Sequence, residues 1–241
     1  MSNAVFALYK KELYHLAISP VPFAALLIMQ LGLAFPFIGM SYWFLSGVSE
    51  LQSFFLNAPF LFCFVIPLLT MNIWSDERKA FTDKLLFSYP VSEQTIAGAK
   101  YLALVTVYAC ILIISSAIPV SVFQLGDFSF SVFLLSYAAL FLFGSGLLAI
   151  SLGIAVFSSY TAVNFLLSFI VILFFSLIQA PLKVYTANTL LAKILLWFAF
   201  PVHFESAARG IFDLRDFAFY AILIFFGIQL TTYVLQRKHR I

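Results

Sequence analysis

The chain has 241 residues, of which 63% are hydrophobic and 10% charged, with a formal charge of +3; soluble domains run at roughly 45 to 50% and about 25%. Thirty-one phenylalanines, an aromatic share of 19% and a mean hydropathy of +1.06 exclude a soluble globular, disordered, collagen-like or nucleic-acid-binding chain, each of which needs a more polar or more basic composition. The composition is that of a polytopic, all-α membrane protein.

Residues 4–19, AVFALYKKELYHLAIS, read as an amphipathic helix on the membrane surface. Val5, Phe6, Tyr9, Leu13 and Leu16 share one side at helical spacing, Lys11 and His15 face the other, and Lys10 stands at the border. The apolar run after Lys11 is much longer than a signal-peptide core and lacks a small-residue cleavage site, so this segment is expected to stay attached.

A membrane helix needs about 20 apolar residues, and the stretches free of Asp, Glu, Lys and Arg hold six such helices: 22–46, 54–73, 101–123, 130–157, 165–181 and 217–236. The run from Phe128 to Leu182 holds two of them, with a turn expected at Ser158 to Asn164, its locally polar cluster. Pro36, Pro67 and Pro119 fall inside spans and are expected to kink them. In the fourth span Ser145, Ala149 and Gly153 repeat a small residue every fourth position, with Gly146 beside them, a stripe that lets two backbones approach, within the monomer or, as the alternative, across a dimer seam. Cys63 and Cys110 sit in apolar runs and read as reduced, small hydrophobes.

Lysines and arginines are retained on the cytoplasmic side. Lys10 and Lys11 precede the first span, and Arg237, Lys238 and Arg240 follow the last, so both ends are expected inside after an even number of crossings. Arg78, Lys79, Lys84 and Lys100 then fall on the same side, against Lys183, Lys193, Arg209 and Arg215 in the outer loop 183–216. The spans so drawn contain no ion. Proton- or sodium-driven carriers keep ionisable groups at the midplane, which argues against an ATP-independent carrier; the neutral Gln30, Asn57, Asn72, Ser115, Ser116 and Gln179 are expected to bond between helices. No His-Glu-x-x-His, Gly-x-Ser-x-Gly or phosphate-loop pattern occurs, so the chain is expected to be non-catalytic, and any ATP it uses must be bound by another chain.

The inner loop, SDERKAFTDKLLFSYPVSEQTIAGAK, mixes charges with Phe81, Leu85, Leu86, Phe87 and Tyr89. Pro90 disfavours a helix at Tyr89, and Ser92 is placed to cap a new helix that continues into the third span. The apolar knobs either rest on the lipid interface or fill a groove on a cytosolic partner.

These segments resemble the membrane subunit of ABC-2 type transporters, and in particular the small permeases of the gliding-motility (GldF) and nitrous-oxide-reductase-maturation (NosY) kind. The match runs through Lys11 and Glu12, then Glu77 and Arg78, Thr82 with Leu85 and Leu86, and Pro90, Val91 and Ser92. It departs at Asp83, where a Glu is common, and at Gly98, Ala99 and Lys100, where one residue is inserted into Gly-Lys. The resemblance implies that Lys11 and Glu12 lie in a connecting helix, and that 76–90 is a coupling helix docking through Glu77, Arg78, Phe81, Thr82, Asp83, Leu85, Leu86 and Phe87 on a separate ABC ATPase. ATP and Mg would be bound by that partner, with no cofactor or metal on this chain. It further implies a homodimer or a heterodimer with a second permease, an accessory membrane protein of the GldG-like kind, and a bacterial inner-membrane location. Short outer helices between spans five and six would border the substrate exit, with His203 and Glu205 near it; ion pairing and surface solvation are the default roles of these two residues, and a gate is the alternative. The alternative is an assembly or anchoring subunit of a larger membrane complex, without cargo of its own.

Overall fold

A computed structural model describes residues 2–35, 54–55, 57–82, 91–122, 130–178, 196–208 and 213–239. Helices α1 (Ser2–Ile18) and α2 (Val21–Phe35) meet at a bend of 64°. Pro20 brings no N–H to continue α1, and the Ser19 hydroxyl accepts from Val21 N at 3.3 Å to start α2. Helix α3 (Ala58–Thr70) passes through a tight turn into α4 (Ser75–Lys79). Helix α5 (Glu93–Ser115) starts on Ser92, whose hydroxyl accepts from Thr95 N at 3.3 Å. The cap is where the sequence places it, and the helix of the third expected span therefore begins well before Tyr101. Pro119 has no N–H to offer the Ser115 carbonyl, so α5 breaks there and α6 (Ala117–Val122) follows after one residue. The remaining helices are α7 (Phe130–Ala155), α8 (Thr161–Leu177), α9 (Val202–Ala208) and α10 (Leu214–His239).

Among the described residues four helices are long and apolar enough to cross a membrane: Ala58–Lys79, Glu93–Ser121, Phe130–Ala155 and Leu214–Arg237. The bent pair α1 and α2 makes up to five, and α8 is apolar but shorter, with 17 residues. The protein is thus an all-helical, multi-pass membrane protein with four to five spanning helices among the described residues, a coarser result than the expected six; the first expected span, 22–46, is described only to Phe35. The turn between the fourth and fifth spans occupies 156–160 instead of 158–164. Thr161 to Asn164 belong to α8 because their polar groups face inward: Asn164 is fully buried and its Nδ2 donates to Met71 O (3.3 Å) and Ser158 O (3.2 Å).

Helix α7 is the centre of the bundle. Helix α3 runs parallel to it, Phe62 packing on Phe143 and the Thr70 hydroxyl meeting that of Ser151. Helix α5 runs antiparallel, the Tyr101 hydroxyl donating to Ser145 O (3.2 Å) and the Tyr108 hydroxyl to Leu140 O (2.7 Å). Helix α10 is parallel again: Gly146 meets Leu223, and Gly153 meets Leu230 and the Gly227 carbonyl. The small-residue stripe of α7 therefore serves packing inside the monomer, where the absent Cβ of Gly227 leaves room for the backbone of Ala149. Helix α8 is antiparallel to α3, with Asn164 at Met71 and Phe169 against Phe64 (4.9 Å).

This alternation gathers the C-terminal ends of α3, α7 and α10 with the N-terminal ends of α5 and α8 at one end of the bundle. Asp76, Glu77, Arg78, Lys79, Glu93, Lys100 and Arg237 lie there; Asp213, Arg215 and Asp216 lie at the other. Between the ends, large apolar side chains remain exposed, among them Leu27 and Leu31 on α2, Leu166 and Ile170 on α8, and Phe225 and Phe226 on α10, a surface suited to lipid. Helix α1 turns Val5, Leu8, Tyr9, Glu12, Leu13 and Leu16 inward. Phe6, expected on that face, is 64% exposed beside Tyr14 and Ile18, because the inward stripe is centred on Glu12 and Phe6 falls beyond its edge.

Candidate functional site

The charged end holds a buried ion network built by three segments. On α5 the core register runs Ile96, Lys100, Leu104, Tyr108, so the helix carries Lys100 into the interior, where it is 1% exposed. On α1 the inward register does the same for Glu12. Glu77 arrives from α4, on the turn that closes α3. The Lys100 ammonium lies 3.0 Å from Glu12 Oε2 and 2.9 Å from Glu77 Oε2, donates to Ile73 O at 3.1 Å, and stands 4.7 Å above the Trp74 ring. Lys11, 53% exposed, closes the other side, 2.7 Å from Glu77 Oε1 and 3.2 Å from Glu12 Oε1. Glu77 Oε2 meets the Lys100 ammonium as an ion pair.

Two ammoniums and two carboxylates make the network neutral. Desolvating such charges is costly, and the cost is recovered only while each has its partners. The network thus ties α1, α4 and α5 as a unit: withdrawing one segment strands the charges of the others. A cleft of about 210 Å³ opens beside it, lined by Lys11, Glu12 and His15 of α1 and by Asp76, Glu77 and Thr82.

The opposite face of α4 is tied just as firmly. Arg78 Nη1 donates to Ser158 O (2.7 Å) and Nη2 to Val156 O (2.6 Å), satisfying carbonyls at the C-terminus of α7. Lys79 Nζ donates to Thr161 Oγ1 (2.9 Å), and the Ser75 hydroxyl lies 3.1 Å from the same oxygen at the start of α8. One short helix therefore joins α1, α5, α7 and α8.

Of the residues expected to meet a partner, Glu77 and Arg78 are turned into the bundle in this way, and Lys11 and Glu12 belong to the network. Phe81 and Thr82 are exposed. Phe81, 73% exposed, holds φ at 55°, a left-handed conformation unusual for an aromatic residue. The turn is closed behind it by Thr82, whose N–H and hydroxyl both donate to Glu77 O (2.9 and 3.2 Å). Asp83, Leu85, Leu86 and Phe87 lie outside the described residues. The sequence reading did not single out Lys100 as a site residue. Its signal was its place in the apolar register of α5, where a lysine needs a buried carboxylate.

At the far end His203 is 6% exposed. Its Nδ1 lies 2.8 Å from Asp216 Oδ1, its Nε2 lies 2.8 Å from Trp197 O, and its ring stacks on Phe219 at 3.9 Å. The Ser206 hydroxyl donates to Asp216 Oδ2. Glu205 is on the same helix, α9, with its side chain outside the described part. Among the described residues no three His, Cys, Asp or Glu side chains converge as a metal site.

No protein-family profile matches the chain, and no curated protein is significantly similar to it.

Proposed function

We propose that the chain is the membrane-spanning subunit of an ABC-2 type transporter, non-catalytic itself and driven by an ATPase on a separate chain. The observation that carries this reading is the position of α4: it precedes residues 83–90 of the expected inner loop and is bound by buried ions and charge-assisted hydrogen bonds to four other helices. A force applied to that loop reaches α1 and α5 through Glu77, and α7 and α8 through Arg78, Lys79 and Ser75. Closure of two ATPases around ATP would push on the loop and bias the helices between two arrangements, which requires only that the ATPases bind the two arrangements with different affinity. The bias of basic residues supports a cytoplasmic position for this end and for both termini, and the resemblance to ABC-2 permeases implies a bacterial inner membrane. Two such membrane subunits, alike or different, would form the transporter.

The test is purification of the tagged full-length chain from its native membrane in mild detergent, with identification of its partners and an ATPase assay. Recovery of an ATPase bearing a phosphate-loop motif, lost with its activity on Leu86→Asp while the chain remains folded, supports the reading. A complex that reproducibly lacks such an ATPase overturns it in favour of an anchoring subunit.

A further inference from the structure

We propose that His203 is a proton-operated latch at the far end of the bundle, holding the Trp197 segment to the start of α10. Both ring nitrogens face acceptors at 2.8 Å: the Asp216 carboxylate at Nδ1 and the Trp197 carbonyl at Nε2. The carboxylate is already fixed by the Ser206 hydroxyl on its second oxygen. Both contacts are satisfied only when the His203–Asp216 pair carries a proton at each ring nitrogen, or one proton shared between Nδ1 and Oδ1 with the other on Nε2. Removing one proton leaves a lone pair facing either the carboxylate or the carbonyl. The bond to the charged carboxylate is the stronger of the two, so the remaining proton stays on Nδ1 and Nε2 turns a lone pair on Trp197 O. The Trp197 contact then opens.

The surroundings leave the ring no other titratable partner among the described side chains. Helix α10 contributes Asp216, with Asp213 just before it, Arg215 adjoining it and the Tyr220 phenol one turn on; Asp213 is engaged by Arg215 N at 2.9 Å. Helix α7, packed against α9, carries no charge and Tyr137 as its one titratable residue. The Trp197 segment contributes Leu196 to Phe200, all apolar, and Phe219 covers the ring face. Opening has a mechanical consequence, because Phe200 N donates to Phe175 O on α8 at 3.3 Å. Residues 196–200 thus contact α8 on one side and His203 of α9 on the other, and His203 fastens that second side. Trp197 and Phe198 are themselves half exposed, as residues at a membrane–water boundary are.

Trp197 is its own reporter, its ring lying edge-on to His203 at 6.1 Å. Tryptophan emission of the full-length protein in detergent is followed from pH 5 to pH 9, and the component contributed by Trp197 is isolated by subtracting Trp197→Phe. The latch predicts a one-proton sigmoidal change in that component that is absent in His203→Gln, which has no ring to carry the second proton. A component that is flat across the range, or that titrates unchanged in His203→Gln, overturns the proposal. If His203→Gln does not fold, the ring-nitrogen NMR signals of His203 in the histidine-labelled wild-type protein decide alone: loss of the Nε2 proton over the same pH range as the Trp197 change supports the latch, and a Trp197 change with the ring protonation unaltered overturns it.

Discussion

Lys100→Met separates a buried ion network from ordinary packing. Methionine fills a comparable volume beside Trp74 but removes the ammonium that lies 3.0 Å from Glu12 and 2.9 Å from Glu77. Two mostly buried carboxylates are then left with Lys11 alone, half in solvent. Breaking a buried pair from one side costs about 3–5 kcal/mol, and at roughly 2–4 °C per kcal/mol for a chain of this size the apparent Tm should fall by about 6–20 °C. The companion variant carries Glu12→Gln and Glu77→Gln in addition. With the stranded charges gone, and Lys11 able to solvate itself, most of the loss should be recovered, since replacing a whole buried network is often close to neutral. The assay is thermal unfolding of the detergent-purified chain at fixed detergent and salt. A Tm for Lys100→Met within about 2 °C of wild type, or a triple variant no more stable than the single one, would refute the reasoning.

Gly227→Leu should destabilise the bundle by at least the 1–3 kcal/mol typical of overpacking, because its Cβ would overlap the backbone of Ala149, which cannot rotate away; loss of monodisperse protein on size exclusion would register it. Gly98→Ala is the contrasting case: nothing lies within 4 Å of the added methyl, so helix propensity predicts a gain of up to about 1 kcal/mol and a raised Tm. Ser92→Ala removes the hydroxyl that accepts from Thr95 N and should cost about 1 kcal/mol, read as a Tm lowered by a few degrees.

The elements that were legible in the sequence are those set by local chemistry. Ser92 announces its helix through the cap, Pro119 ends α5 through its missing N–H, and the spacing of Ser145, Ala149 and Gly153 announces a close helix contact. What was not legible depends on what a polar residue faces. Thr161 and Asn164 read as a turn because they are polar, whereas the fold turns them inward onto Ser75, Lys79 and Met71. Lys100 escaped for a related reason: spans drawn as ion-free end one residue short of it, and the decision to bury it belongs to Glu12 and Glu77, far away in sequence. Glu77 and Arg78 look like exposed charges of an inner loop, but Lys11 and Lys100 draw Glu77 inward and the Ser158 and Val156 carbonyls draw Arg78. Phe6 was misplaced because the inward stripe of α1 is organised around a charged residue, Glu12, which a count of apolar positions ignores.

The most direct test of the central claim is the mass of the complex released from native membrane by mild detergent and measured by native mass spectrometry. The account predicts a species containing two membrane subunits, this 27.1 kDa chain paired with itself or a sister, together with two nucleotide-binding chains that dissociate on Leu86→Asp. A species of defined mass that contains this chain and no nucleotide-binding partner would contradict it.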